Sequence, residues 1–193
     1  MGAKQFTIIE SLEPTGDCVI EIGSERGDGS TEYFYNYCKK NKLDFYTIDF
    51  NPTIIENVKN HGWGIPYCMM GEEFMMYTFP KLNKKIWFAY LDNYDWTWEG
   101  SDEWDWVKAQ KQEYLDLGIR LKNEECRRVH LEQAIEINKY LVPGGYILID
   151  DTWETETGYE GKGGTVVPYL LNNGYVLVPV EDHNAKLLQK KQL

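Results

Sequence analysis

Short apolar runs alternate with helical patterns from residue 17 to the end of the chain, and this alternation constrains the fold more than any other feature. Each of the first runs is bounded by turn residues and followed by a segment with helical periodicity. That order is typical of parallel strands joined by crossover helices. We therefore expect an α/β fold with a doubly wound, mostly parallel sheet, an antiparallel C-terminal strand and helices on both faces. Seven strands are predicted, at residues 18–22, 44–49, 65–70, 85–91, 146–150, 175–180 and 185–190.

The alternation of strand and helix patterns is interrupted after the fourth strand, where residues 93–106 hold four of the seven tryptophans. A long helical region, 107–142, follows and is predicted to be interrupted near Gly118. A Pro-Gly-Gly turn at 143–145 then leads the chain into the fifth strand. No repeat, linker or composition shift divides the sequence. Residues 1–193 are therefore predicted to form a single domain that carries 93–106 as an insert or lid.

The acidic residues are concentrated in two stretches. The chain has 31 Asp and Glu against 20 Lys and Arg, a net charge of −11, and residues 93–105 and 150–160 contain no basic residue. Because binding to a phosphate backbone needs a basic footprint, we expect no nucleic-acid partner. No apolar run approaches the roughly 18 residues of a membrane span, so we expect no membrane contact and a cytoplasmic protein. The two acidic stretches are either solvated loops or part of a local cation site.

A glycine-rich loop joins the first predicted strand to the first helix. Gly23, Gly27 and Gly29 let a ligand approach the backbone, and the free N–H groups at the helix start favour an anion. Their spacing differs from the G-x-G-x-x-G of dinucleotide-binding folds, which disfavours a nicotinamide cofactor. Asp49 ends the second strand beside this loop, where a carboxylate can accept both hydroxyls of a ribose. Both features indicate a ligand that contains adenosine.

The stretch EIGSERGDG at 21–29 resembles the first motif of class I S-adenosylmethionine-dependent methyltransferases, E/D-x-G-x-x-x-G-x-G/S. The segments YTID at 46–49, GE at 71–72 and LVPGG at 141–145 resemble further motifs of that family. The resemblance implies a Rossmann-like fold, S-adenosyl-L-methionine as cofactor and methyl transfer as the activity. It also implies that Glu21 and Ser24 lie near the amino-acid end of the cofactor. The full set of residues that it implies bind the cofactor is Glu21, Gly23, Ser24, Gly27, Gly29, Asp49, Glu72 and Asp92.

Aspartates follow the fourth and fifth predicted strands, at Asp92 and at Asp150-Asp151. The carboxyl ends of these strands meet at one edge of a doubly wound sheet, so the three carboxylates should converge. Such a cluster must take up protons or bind a cation, and oxygen ligands suit Mg²⁺, Ca²⁺ or Mn²⁺. The arrangement resembles that of metal-dependent, catechol-type O-methyltransferases, which implies that all three aspartates are metal ligands. The alternative is that they orient a substrate without a metal.

The catechol-type enzymes carry a lysine as general base three residues after the fourth-strand aspartate, and this chain has Asp95 at that position. Asp95 is therefore a candidate base or an extra ligand, and His130 is a more remote candidate base. Asp92 would act in catalysis through the ion that it binds. The resemblance implies that the ion lowers the pKa of a substrate hydroxyl and holds its oxygen in line with the methyl–sulfonium bond.

Aromatic residues near the proposed reaction centre are candidate substrate contacts. Trp96 and Trp98 would form one wall of the site and Trp153 the opposite wall, unless they only pack the insert onto the sheet. Lys162 lies in a Gly-Lys-Gly-Gly sequence that is interpreted as a hinge, from which it would meet an acidic substrate.

We therefore expect divalent-cation-assisted O-methylation of a small-molecule hydroxyl by an S-adenosylmethionine-dependent enzyme. Two alternatives stay open. One is a metal-independent N- or C-methyltransferase on the same fold, and the other is a cofactor-binding module that has lost catalysis. Because a second subunit is one way to cap the site, a homodimer is an expected assembly.

Overall fold

A seven-stranded sheet forms the centre of the computed structural model, which describes residues 5–24, 29–181 and 183–192. Its strand order is β3-β2-β1-β4-β5-β9-β8, in which β9 is antiparallel to both of its neighbours and the other pairs are parallel. The predicted α/β class with a mostly parallel sheet is confirmed. The strands are β1 Cys18–Ile22, β2 Asp44–Asp49, β3 Ile65–Cys68, β4 Ile86–Leu91, β5 Leu141–Ile149, β6 Thr152–Thr155, β7 Gly158–Gly161, β8 Tyr175–Val178 and β9 Lys186–Lys190.

Helices cover both faces of the sheet. Alternate residues of each strand point to opposite faces, so each face has its own set of apolar side chains to bury. On one face, Ile20 and Ile48 belong to a buried cluster with Ala134. On the other, Val19 belongs to a buried cluster with Phe34. No helix in the described part of the chain is both long and apolar enough to cross a bilayer. The helices are α1 Ser30–Asn41, α2 Pro52–His61, α3 Gly71–Glu73, α4 Asp105–Asp116, α5 Asn123–Tyr140 and α6 Val166–Asn172, with a 3₁₀ turn at Gln5–Ser11.

The long helical region after the insert divides as predicted near Gly118, whose φ of 78° ends the helical conformation between α4 and α5. Its other end differs from the prediction. The fifth strand begins at Leu141 rather than at residue 146, because Leu141 already pairs with Ile86 of β4. The Pro-Gly-Gly turn is thus an irregularity inside β5 rather than a loop before it.

A small β-hairpin, β6–β7, lies outside the main sheet between β5 and α6 and was not predicted. It contains most of the second acidic stretch. Its strands are only four residues long, and Glu and Gly in them are weak strand formers, so composition gave little signal. The hairpin returns the chain to the carboxyl ends of β4 and β5, which determines where Lys162 lies.

Candidate functional site

The carboxyl ends of β1, β4 and β5 lie side by side, because their hydrogen bonding continues one residue beyond the strands. The N–H of Asp92 donates to the carbonyl of Ile22 (2.9 Å), and the N–H of Asp150 donates to the carbonyl of Leu91 (3.1 Å). Side chains from three separate segments therefore meet at one edge of the sheet, as the strand pattern predicts.

Gly23, directly after β1, packs closely against the backbone that follows β4. Its φ is 100°, and a Cβ atom placed on it would lie 2.5 Å from the nitrogen of Asn93 and 2.5 Å from the carbonyl carbon of Asp92. Real side chains do not tolerate such contacts with backbone, so only glycine fits here. Gly29 caps α1 in the left-handed conformation, and Gly27 lies outside the described residues.

Glu21 lies beneath the glycine loop and is fully buried. Its carboxylate accepts hydrogen bonds from the hydroxyls of Ser30 (2.7 Å), Thr31 (2.7 Å) and Thr47 (2.6 Å). It does not line the cavity described below, so the structure places it as a support that joins β1 to the start of α1 and to β2.

Asp49 connects the glycine loop to the start of α2 and is only 5% exposed. Its Oδ2 accepts from the N–H of Ser24 (3.1 Å) and its Oδ1 from the N–H of Asn51 (2.7 Å). These two hydrogen bonds fix the orientation of the carboxylate between Ser24 and the start of α2.

A cavity of about 210 Å³ opens above these groups. It is lined by five predicted site residues, namely Gly23, Ser24, Asp49, Asp92 and Asp95, and by five that were not predicted, namely Ser30, Phe50, Asn93, Tyr94 and Tyr114. Two of the missed residues had a usable signal, since Phe50 and Asn93 directly follow the strand-end aspartates. Tyr114 comes from α4, and nothing in the sequence pattern indicates its position.

One polar group in this cavity lacks a partner. Asn93 is 6% exposed, and its Oδ1 is buried without a hydrogen bond to any described residue. A buried acceptor without a donor costs roughly 1–3 kcal/mol. Asn93 also lines the cavity, so its amide is a candidate hydrogen-bonding group for a ligand.

Three aromatic residues line the cavity together, namely Phe50, Tyr94 and Tyr114. The ring of Phe50 lies 5.9 Å from that of Tyr94 and 5.4 Å from that of Tyr114, centroid to centroid. The N–H of Asp95 donates to the Tyr114 hydroxyl (2.9 Å), which ties the insert to α4. Glu72, predicted to contact the cofactor, is not among the described residues that line this cavity. It accepts from Gln133 Nε2 (3.3 Å), and burial raises its pKa.

The aspartates after β4 and β5 do converge, but around a lysine. Lys162 Nζ lies 2.6 Å from Asp92 Oδ1 and 3.2 Å from Asp151 Oδ2. The Tyr90 hydroxyl lies 3.2 Å from one oxygen each of Asp92 and Asp150. Burial and the neighbouring Asp92 carboxylate raise the pKa of Asp150 to about 8, against the opposing effect of Lys162.

This arrangement does not fit the predicted divalent-cation site at Asp92, Asp150 and Asp151. The ammonium of Lys162 occupies the position between two of the carboxylates, and the amide of Gln5 donates to the third. Among the described residues, no group of three or more His, Cys, Asp or Glu side chains is arranged to hold a metal ion. The sequence pattern missed this because Lys162 is distant along the chain and reaches the cluster through the unpredicted hairpin.

His130, the remote candidate base, does not reach the cavity. It is fully buried in α5, and its Nδ1–H donates to the carbonyl of Cys126 (2.8 Å). Burial and the nearby charge of Lys162 lower its pKa to about 3, so it is neutral at physiological pH. Its position in the core, one helical turn from Cys126, indicates a packing role rather than contact with a substrate.

The tryptophans predicted to contact the substrate form one cluster. Trp98 stacks on Trp153 with 4.8 Å between ring centroids, and Trp96 meets Trp153 edge-on at 5.9 Å. The guanidinium of Arg127 lies 4.9 Å from the Trp96 ring centroid. Trp98 is 45% exposed, so one face of this cluster is open to solvent.

Solved structures share this architecture, although no protein-family model and no curated protein sequence matches the chain. A "putative rRNA-methylase" of Clostridium thermocellum aligns at a TM-score of 0.57 and 11% identity, over 98% of this chain and 96% of that one. An S-adenosylmethionine-dependent methyltransferase of Bacteroides fragilis was solved with S-adenosyl-L-homocysteine. It aligns at a TM-score of 0.52 and 13% identity, over 98% of this chain and 76% of that one. NSun6 of Pyrococcus horikoshii aligns at a TM-score of 0.61 and 16% identity, over 100% of this chain and 53% of that one.

The chain has the fold of class I methyltransferases. This agrees with the motif resemblance, and the candidate cavity lies at the carboxyl ends of the strands, where ligands bind in doubly wound folds. The methyltransferase fold alone does not assign the acceptor, and the likeness to catechol-type enzymes is not supported.

The expectation of no nucleic-acid partner is wrong, because a chain that shares the methyltransferase fold over 96% of its length carries the description of an rRNA methylase. Net charge was a poor guide since it averages over the whole surface. Arg120 and Lys122 line a cavity of about 380 Å³ that shares Tyr94 with the candidate site, so basic side chains do lie near it.

Proposed function

We propose that this protein transfers a methyl group from S-adenosylmethionine to an acceptor held beside Asp95. The observation that carries the proposal is the cavity between Asp49 and Asn93. At Gly23 the backbone packs so closely that only glycine fits, and two N–H groups orient the carboxylate of Asp49. Asn93 Oδ1 is a buried acceptor with no partner among the described residues. These features suit a ligand that bears both a ribose and an ammonium group.

Each end of the cofactor has a matching group in this cavity. Asp49 would accept the ribose hydroxyls, the Asn93 amide would bind the amino group, and the adenine would pack against the Phe50 ring. When bound, the cofactor supplies a methyl group on a positively charged sulfur. The protein's part is to hold the donor and the acceptor in line and to exclude water from between them.

A hydroxyl is the acceptor that the acidic lining supports. Asp92 and Asp95 both line the cavity, and a carboxylate at hydrogen-bond distance can take the proton of a hydroxyl as its oxygen is methylated. Lys162 and the Tyr90 hydroxyl contact the two oxygens of Asp92, and Asp95 is the proposed base. No metal ion takes part in this proposal, since the aspartate cluster already contains an ammonium.

RNA is a second candidate acceptor. The solvent-exposed rings of Trp98, Trp104 and Trp106 can stack on bases, and stacking of this kind is worth about 1–3 kcal/mol per base. The description of the Clostridium thermocellum structure points to the same class of acceptor.

Transfer of tritium from methyl-labelled cofactor tests the proposal and separates these candidates. The unaltered protein is incubated in EDTA with a library of phenols, catechols and sugars, and in parallel with total RNA. We expect label in a hydroxyl of one of these acceptors at the same rate with and without EDTA. Cofactor binding without transfer to any of them would favour a module without catalysis, and transfer that stops in EDTA would contradict the metal-free site.

Substitution of Trp98 tests the aromatic cluster as an acceptor surface. We expect Trp98→Ala to lower kcat/KM for the methylated acceptor by about tenfold, since stacking on one ring contributes on the order of 1–3 kcal/mol, and to leave cofactor affinity unchanged. Tyr77→Ala, at an exposed ring outside the insert, is the matched control and should change kcat/KM by less than about twofold. Equal effects of both substitutions would rule out a specific contact at Trp98.

A further inference from the structure

Lys162 is a buried ammonium surrounded by carboxylates. Its side chain is 2% exposed, and Nζ contacts Asp92 Oδ1 at 2.6 Å, Asp151 Oδ2 at 3.2 Å and the Asp92 carbonyl at 3.4 Å. Burying an ion costs several kcal/mol unless opposite charges surround it, and here two carboxylates do so. The lysine is therefore an integral part of the cluster rather than a surface residue that reaches into it.

The chain around Lys162 is built to insert this side chain. The lysine N–H donates to the Asp151 carbonyl (2.9 Å), which closes the base of the β6–β7 hairpin. A Cβ atom on Gly161 would collide with that same carbonyl, and one on Gly163 would lie 2.6 Å from Thr152 Oγ1. The glycines on both sides let the backbone pack against the hairpin, so the Gly-Lys-Gly-Gly sequence is a close-packed turn and not a hinge.

The ammonium lies where a cation is required. Asp92, Asp150 and Asp151 bring up to three negative charges to the carboxyl ends of β4 and β5, and such a group needs protons or a cation. A divalent ion between Asp92 and Asp151 would have to displace Lys162 Nζ, because two cations at hydrogen-bond distance repel each other strongly.

We propose that the Lys162 ammonium is the built-in cation of this cluster, in the place that a divalent ion would otherwise take. It neutralises Asp92 and Asp151, and it fixes the carboxylate of Asp92 at the wall of the cofactor cavity. Lys162 is thus a positioning residue that acts through Asp92. The proposal concerns ion binding and does not depend on methyl transfer.

Calorimetric titration with Mn²⁺ and Mg²⁺ tests it on the EDTA-treated protein. The unaltered protein is expected to bind neither ion at the cluster. Lys162→Met keeps much of the side-chain volume but removes the charge, and we expect it to bind one Mn²⁺ per chain and to melt at least about 3 °C higher with the ion than without it. Lys162→Arg retains a cation and should bind no ion.

Two further variants identify the site. Lys111→Met, which removes an exposed lysine paired with Asp102, is the matched control and should gain no ion. Adding Asp151→Asn to Lys162→Met should abolish the new Mn²⁺ binding. If Lys162→Met does not fold, refolding in millimolar Mn²⁺ replaces the titration, and recovery of the folded protein supports the proposal.

Three results would overturn it. The first is one Mn²⁺ bound by the unaltered protein and lost in Asp151→Asn. The second is a folded Lys162→Met variant that binds no ion, and the third is an unfolded variant that Mn²⁺ does not rescue.

Discussion

Replacing Glu21 with alanine is expected to lower the free energy of unfolding by about 2–5 kcal/mol, a large part of the roughly 5–15 kcal/mol that stabilises a typical domain. The reason is that three hydroxyls, from Ser30, Thr31 and Thr47, donate to this fully buried carboxylate. The substitution removes the acceptor of all three and leaves a cavity between β1, β2 and α1. Urea denaturation followed by circular dichroism measures the change.

Glu32→Ala is the control for Glu21→Ala. Glu32 is an exposed acidic residue in the first turn of α1, and its interaction with the helix dipole is worth only about 0.3–1 kcal/mol. Glu21→Gln retains one carbonyl oxygen as an acceptor, so we expect it to fall between the two. Equal losses for Glu21→Ala and Glu32→Ala would show that the buried carboxylate does not hold the glycine loop.

Replacing Asp49 with alanine is expected to weaken S-adenosylhomocysteine binding by at least about 100-fold. A hydrogen bond to a charged acceptor contributes about 1.5–3 kcal/mol, and the proposed site gives the ribose two of them at Asp49. The substitution also releases the N–H groups of Ser24 and Asn51 that this carboxylate orients. Isothermal titration of the two proteins measures the difference.

Asp44→Ala is the matched control, because Asp44 lies at the opposite end of the same strand and pairs with Lys84 at the surface. It should bind S-adenosylhomocysteine within about twofold of the unaltered protein, since exposed ion pairs contribute little. If Asp49→Ala, confirmed as folded, also binds within about threefold, then the ribose does not contact Asp49.

The sheet could be predicted because its signals are local. Runs such as Cys18–Ile22 and Ile86–Leu91 are short, apolar and separated by helical patterns, and parallel strands require crossovers of that kind. The cap of α2 is local in the same way, since Asn51 precedes Pro52 and its side chain accepts from the N–H of Thr53 (2.9 Å). The strand-end position of Asp49 followed from the same pattern.

The site chemistry was harder to predict because it depends on contacts between distant segments. Lys162 is 70 residues from Asp92 along the chain, and it reaches that carboxylate because a hairpin of two four-residue strands and the glycines beside Lys162 turn the backbone back. The same limitation applies to Tyr114. Local sequence shows which residues end a strand but not which later side chain will lie against them.

The central claim is that the cavity between Asp49 and Asn93 holds the methyl donor, and a crystal structure with S-adenosylhomocysteine tests it most directly. We predict adenine density against the Phe50 ring, ribose hydroxyls at Asp49 and the amino group at the Asn93 amide. The Lys162 ammonium should remain between Asp92 and Asp151. Density for the ligand at another surface, or no density at a ligand concentration well above the measured Kd, would contradict the account.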